Sequence, residues 1–314
     1  MNREEVFPMI LSQQEGEQRK EIIVQNSSSL ISDLKLLFKG LVLVSNVLPV
    51  LTGLWLAMYF TDVSLASNWD VVLVTLVGSI MVMGGALVLN NWYDVDIDSI
   101  MERTKKRPTV TGTIPLKVVL FLGISLSAAG FILLAFTTVS AVVYAFIGWF
   151  MYVVLYTMWS KRRYAFNTII GSISGAVTPL IGWYAIDTRF HIVPFILFLI
   201  LFVWQMPHTF AIAIKKYDEY KAAGVAMLPV VRGIQNTKVQ MLFYIACLVP
   251  LPFFVQTLGI TFVTIVTLLN VVWCLVCAWG FFEKDTLKWA NVNFIYSVNY
   301  ITLVFFFMIV VTIF

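Results

Sequence analysis

Apolar residues in this chain come in runs of about twenty, with polar residues clustered in the gaps between them. A run of about 18 or more apolar residues is long enough to cross a bilayer as a helix. Nine such runs are read, at about 40–60, 71–90, 117–137, 139–158, 167–186, 194–214, 240–257, 260–282 and 295–313. Two of the boundaries, at 138 and at 258–259, divide stretches that are apolar almost throughout. The sixth run carries Pro207 and His208 and is expected to be interrupted there, which membrane helices tolerate when neighbours re-satisfy the freed backbone groups. The pattern predicts an all-α fold, a polytopic membrane bundle of about nine transmembrane helices. Residues 39–314 form its single domain. Residues 1–28 hold QQEGEQRKE and NSSS, lack the apolar core of a signal peptide, and read as a cytoplasmic tail. Residues 29–38 mix apolar and charged positions as a short interfacial helix would.

Composition agrees. Of 314 residues 60% are apolar and 12% charged, and the mean hydropathy of +0.89 excludes a soluble domain of this length. Charge then orients the chain. On an alternating path all but one of the 21 Lys and Arg residues fall on one side, and only Arg189 falls opposite. Cytoplasmic loops carry the Lys/Arg excess. The N-terminus and the loops at 91–117, 159–166, 215–239 and 283–294 are therefore expected in the cytoplasm, and the C-terminus outside. The net charge of +4 reflects this bias and implies no nucleic-acid partner. Cys247, Cys274 and Cys277 lie in apolar runs without metal-ligand spacing and read as buried thiols. His191 shares a short outer loop with Arg189 and reads as solvated.

Candidate chemistry sits where the second run ends, in NNWYDVDIDSIMERTKKRP from Asn90 to Pro108. Asn90, Asp94 and Asp98 recur every fourth residue, so a continuing helix stacks them on one face. Their oxygens are hard ligands suited to Mg²⁺, which is commonly held by one or two carboxylates plus substrate phosphates. With Arg103, Lys105, Lys106 and Arg107 following, the segment suggests a metal-bridged diphosphate site at a membrane boundary. The plain alternative is a solvated loop whose acids and bases pair. A second polar stretch, WQMPHTFAIAIKKYDEYKAAGVAMLPVVRG, follows the sixth run with Lys215, Lys216, Asp218 and Glu219. The two loops are four runs apart, as two similar halves sharing one cavity would place them.

These residues resemble the UbiA superfamily of intramembrane prenyltransferases. Asn90, Asp94 and Asp98 match its N-x-x-x-D-x-x-x-D motif. The continuation DIDSIMERTKKRP, the block YTMWSKRRYAFNTIIGSISGAVTPLIGW, WQMPHTFAIAI and DEYKAAGVAMLPVV resemble its haem-farnesylating branch. The likeness runs from about Lys39 to Tyr300. It departs at the second D-x-x-x-D of many relatives, because Ala222 stands four residues after Asp218.

The resemblance implies a lateral cavity within the bilayer, capped by cytoplasmic loops, in a cell-membrane enzyme. It implies transfer of the farnesyl group of farnesyl diphosphate to a vinyl group of haem B, with addition of water, giving haem O for terminal oxidases. Asn90, Asp94 and Asp98 are then the expected Mg²⁺ ligands and, with Asp218, the catalytic set. Arg103, Lys106, Arg107, Lys161, Arg162 and Lys216 are expected at the diphosphate, arginine by bidentate hydrogen bonds and lysine as a point charge. His208, Trp204 and Tyr156 are expected at the haem, His208 because an ionisable group at membrane depth invites a functional reading. Haem A synthase is a candidate partner. An aromatic quinone precursor is the alternative acceptor. A transporter is disfavoured because the acids stand at run ends and not at the midplane.

Overall fold

A computed structural model describes residues 30–313, which are helical with no strand among them. The expected tail over 1–28 lies outside the described residues. The segment read as interfacial is helical over 30–37 (α1). Then follow α2 (Gly40–Thr61), α3 (Trp69–Tyr93), α4 (Val95–Ile100), α5 (Pro108–Thr111), α6 (Leu116–Leu134) and α7 (Val139–Phe150). Wider π-helical turns extend α7 over Met151–Ser160. The second half holds α8 (Asn167–Ala176), α9 (Thr178–Tyr184), α10 (Ile192–Lys215), α11 (Tyr217–Ala222) and α12 (Leu228–Arg232). It closes with α13 (Ile234–Leu248, extended by tighter turns over Leu251–Leu258), α14 (Ile260–Ala278) and α15 (Thr286–Val310).

Among the described residues, eight helices are long and apolar enough to cross a membrane. The breaks at 138 and 258–259 are where the sequence put them. Thr138 caps α7 by accepting from the Ala141 N–H at 3.0 Å, and Gly259 takes φ 97° before α14. Two expectations change. The sixth run is not interrupted: α10 is continuous through the buried Pro207, whose ring deprives only one carbonyl of its bond. The break falls instead in the fifth run, which is divided into α8 and α9 ahead of Pro179. Pro179 cannot donate to the Gly175 carbonyl, and the Thr178 hydroxyl donates to it at 2.7 Å instead.

Small residues let the helices approach. A Cβ on Gly53 of α2 would stand 2.1 Å from the Pro179 carbonyl oxygen, and one on Gly182 of α9 would stand 2.0 Å from that of Val50. Backbone therefore meets backbone along α2 and α9, as is usual where lipid removes the hydrophobic drive and close packing must replace it. Most of the apolar core lies in the second half, around Trp183, Trp273 and Trp289, all fully buried. A separate cluster of Ile97, Met101, Ala213, Ala223, Val225 and Met227 clamps α4 to the loop after α10. That clamp brings the two polar loops together.

Candidate active site

The one-face ladder survives the end of α3. Asp94 N–H donates to the Asn90 carbonyl at 3.0 Å and Asp98 N–H to that of Asp94 at 2.8 Å, so the i to i−4 register runs on into α4. Asn90, Asp94 and Asp98 are 1%, 0% and 3% exposed, so the segment is not a solvated loop, although its acids do pair with bases. Carboxylates are seldom this buried without partners, and partners converge from two directions. The turn over 101–107 folds back so that Arg107 pairs with Asp98, and the Thr104 hydroxyl fastens the turn to the Asp98 carbonyl at 2.9 Å. From the end of the π-helical segment, Lys161 pairs with Asp94, and Arg162 lies 3.5 Å from the same carboxylate. Arg162 also grips Asp96 with two bonds of 2.5 and 2.7 Å, and that hydrogen-bonded guanidinium holds the Asp96 carboxyl below its ordinary range.

The π-helical turns matter here. The Lys161 N–H reaches back five residues to the Tyr156 carbonyl at 2.9 Å. Such widened turns occur often at functional sites. This one presents Thr157, whose hydroxyl accepts from the Asn90 amide at 2.9 Å. The same amide donates to Asp94 at 2.8 Å, so the Asn90 oxygen is left as an acceptor, and the Lys39 ammonium donates to it. Burial, with Arg107 and Lys161 adding repulsion, holds Lys39 well below the ordinary lysine range against the pull of Asp94 and Asp98. Sequence reasoning missed both Lys39 and Thr157.

A metal fits this donor set. Asp94 Oδ1 is buried and makes no hydrogen bond, beside other hard oxygens from Asp98 and Asn90. Around these acids the cations Lys39, Arg107, Lys161 and Arg162 outnumber Asp94, Asp96 and Asp98, leaving the locality positive and suited to a polyanion.

The remaining expected residues divide. Arg103 and Lys106 are exposed on the turn above the acids. Lys216 pairs with Glu219 at 2.8 Å and holds it below the ordinary carboxylate range; Arg103 lies alongside. Asp218 faces outward and is exposed, whereas Glu219 turns in, with Oε2 buried and unpartnered. The inward acid of the second loop is thus the neighbour of the expected one. Asn167, fully buried, ties the loops by donating to the Ala226 carbonyl at 2.8 Å and to that of Lys161 at 3.3 Å.

Beside this polar cluster lies a cavity of about 260 Å³ between α2, α3, α7, α8, α9 and α10. Its wall includes Met83, Leu87, Trp149, Tyr152 and Tyr156, with Gln205 and Thr209 from α10. Tyr152 and Tyr156 stack with centroids 5.7 Å apart, and Lys161 Nζ is 5.9 Å from the Tyr156 ring centre. Tyr156 therefore stands where cavity and cluster meet. His208 and Trp204 do not line the cavity; they face α15. The His208 ring stacks between Trp204 and Phe294, with centroids 4.7 and 5.3 Å away. Ser297 gives its only proton to the Phe294 carbonyl at 2.6 Å, so His208 Nδ1, 2.8 Å from the Ser297 hydroxyl, must carry the donated hydrogen. His191 is not merely solvated: its Nδ1 accepts from the Val193 N–H at 3.2 Å and caps α10.

Fold and site together define a membrane-embedded prenyltransferase: the chain belongs to the UbiA prenyltransferase family, whose model matches residues 46–299. Solved structures share the fold. A digeranylgeranylglyceryl phosphate synthase superposes with a TM-score of 0.73 at 18% identity, over 90% of this chain and 98% of that one. A UbiA homologue from Archaeoglobus fulgidus bound to DMAPP and Mg²⁺ superposes with 0.65 at 15% identity, over 86% and 99%. Within the family the chain is similar to protohaem IX farnesyltransferases. It is 55% identical to that of Oceanobacillus iheyensis over 89% of this chain and 90% of the relative. It is 51% identical to protohaem IX farnesyltransferase 2 of Bacillus subtilis, over 86% and 88%.

Proposed function

We propose that this enzyme transfers the farnesyl group of farnesyl diphosphate to a vinyl side chain of haem B with addition of water, giving haem O and diphosphate. The observation that carries the reading is the buried Asn90–Asp94–Asp98 ladder, ringed by cations, at the end of an aromatic-walled cavity. The protohaem IX farnesyltransferase relatives support haem as the acceptor.

The bond between farnesyl C1 and the diphosphate oxygen breaks, and its electron pair leaves with the diphosphate. Arg107, Lys161 and Arg162 would bind those oxygens, since each already reaches into the cluster. Arg103, Lys106 and Lys216 would screen the same charge from the loops above. Mg²⁺, held by Asp94 and Asp98 with Asn90 alongside, would supply Lewis-acid stabilisation of the leaving group. Tyr156 and Tyr152 would face the allylic cation, which aromatic rings attract. C1 would bond to the terminal vinyl carbon through the vinyl π electrons, leaving the cation on the other vinyl carbon. Water then adds to the other vinyl carbon and loses a proton. Glu219, in place of Asp218, is the acid of the second loop that we assign to the site.

We further read the polar loops as cytoplasmic, on the basic-residue asymmetry, in the cell membrane. Haem A synthase would receive the product. The deciding experiment incubates purified enzyme with haem B, farnesyl diphosphate and Mg²⁺. A porphyrin heavier by one farnesyl group and one hydroxyl is expected. Unchanged haem, alongside prenylation of a quinone-precursor ring, would overturn the assignment of the acceptor.

A further inference from the structure

We propose that Lys39 is a further binding residue for the diphosphate of the prenyl donor, delivered into the site by the turn that follows α1. The inference rests on the reading that the Asn90–Asp94–Asp98 site takes a prenyl diphosphate. It adds a residue from outside both polar loops.

Three observations converge on Lys39. The first is its backbone, at φ 48° and ψ 53°, in the left-handed region that lysine seldom occupies. Among the described residues only Asp62 shares a positive φ without being glycine. Strain of this kind persists where the surroundings enforce it, and functional sites collect it. The second is the enforcement. Asn91, fully buried, donates its amide to the Leu37 carbonyl at 2.7 Å, and the Leu36 carbonyl lies 3.4 Å from the same nitrogen. Leu37 is fully buried among Val88 and Val119. The end of α1 is thus pinned to α3 from both backbone and side chain, and the chain has only the Phe38–Lys39 turn in which to swing into α2.

The third observation is where the ammonium goes. It donates to the Asn90 oxygen, one residue before the asparagine that pins the turn. An ammonium has three hydrogens, and this neutral amide oxygen is its one hydrogen-bond acceptor among the described residues. No carboxylate among the described residues lies within ion-pair distance of it. Asp94 is taken by Lys161 and Arg162, and Asp98 by Arg107. Lys39 is therefore a partly buried basic side chain without a counter-ion, beside Arg107 and Lys161. A diphosphate would supply the missing charge and accept the remaining hydrogens, as lysine commonly does for phosphate.

The test is affinity for inorganic diphosphate and for farnesyl diphosphate, measured with and without Mg²⁺ on the full chain in detergent. Lys39→Met keeps the stem and removes the charge. It is expected to weaken both ligands by about tenfold or more, the scale of one charge-assisted hydrogen bond. Haem B binding should stay within about twofold, and Lys39→Arg should recover most of the lost affinity. Diphosphate affinity in Lys39→Met within about twofold of the unchanged protein overturns the proposal, because a mere strut to Asn90 predicts that result. If Lys39→Met fails to fold, the unchanged protein decides: diphosphate should shield Lys39 from an amine-reactive label read by mass, and equal labelling with and without it overturns the proposal. Wild-type protein that binds no diphosphate at all sinks the proposed function itself, so the two failures differ.

Discussion

Asp94 uses one carboxylate oxygen for Asn90 and Lys161 and leaves Oδ1 without a hydrogen bond inside the fold. With only the Arg162 guanidinium 3.5 Å away, such an atom is costly unless something closer occupies it in the working enzyme. Asp94→Ala and Asp98→Ala should therefore each abolish product formation in the haem B assay while the protein still inserts. Chelation with EDTA should silence the unchanged enzyme, and Mg²⁺ should restore it. Full turnover by either variant at normal expression would remove the metal-diphosphate assignment. His208 is expected to behave otherwise. Its bond to Ser297 and its place between Trp204 and Phe294 make it a strut between α10 and α15. His208→Ala should lower the thermal midpoint and leave the Soret band of bound haem in place; a shifted band would return it to the iron. The ladder was legible in the sequence because spacing by four is a local property that the α3–α4 junction preserves. Lys39 and Thr157 were not, because they reach Asn90 across 51 and 67 residues, and packing alone chooses such partners.

Helix breaks follow the same division between local and distant causes. Thr138 and Gly259 were readable because a capping hydroxyl and a positive-φ glycine act on their own few residues. Pro207 and Pro179 look alike in sequence, yet only the second interrupts a helix. The difference lies in what surrounds each. Pro179 is pressed against Gly53, and Thr178 is at hand to satisfy the freed carbonyl. Gly53→Ala tests this seam. The new methyl would meet the Pro179 carbonyl oxygen at 2.1 Å, so α2 and α9 must part. Overpacking costs about 1–3 kcal/mol, and a lower unfolding midpoint in detergent is the expected reading. An unchanged midpoint would mean that the seam yields freely.

Across the whole molecule the basic residues give the bundle an orientation in the membrane. Single cysteines at Lys106, Lys161, Asp218 and Lys284 should label from the cytoplasmic face, and one at Asp187 from the opposite face. The background needs Cys247, Cys274 and Cys277 replaced, since all three are free thiols. Labelling of position 284 from the outer face would mean that the chain crosses once more or once less between α13 and α14. The cavity walled by Met83, Leu87, Trp149 and Tyr156 lies among the spanning helices and beside the polar cluster. An enzyme so built would draw amphiphiles from the hydrocarbon around it and return its product there. Its working concentration scale would then be the mole fraction of substrate in the lipid or micelle, not moles per litre of buffer. Diluting a fixed quantity of enzyme and substrates with empty micelles should slow it, and diluting the same mixture with water should change the rate far less.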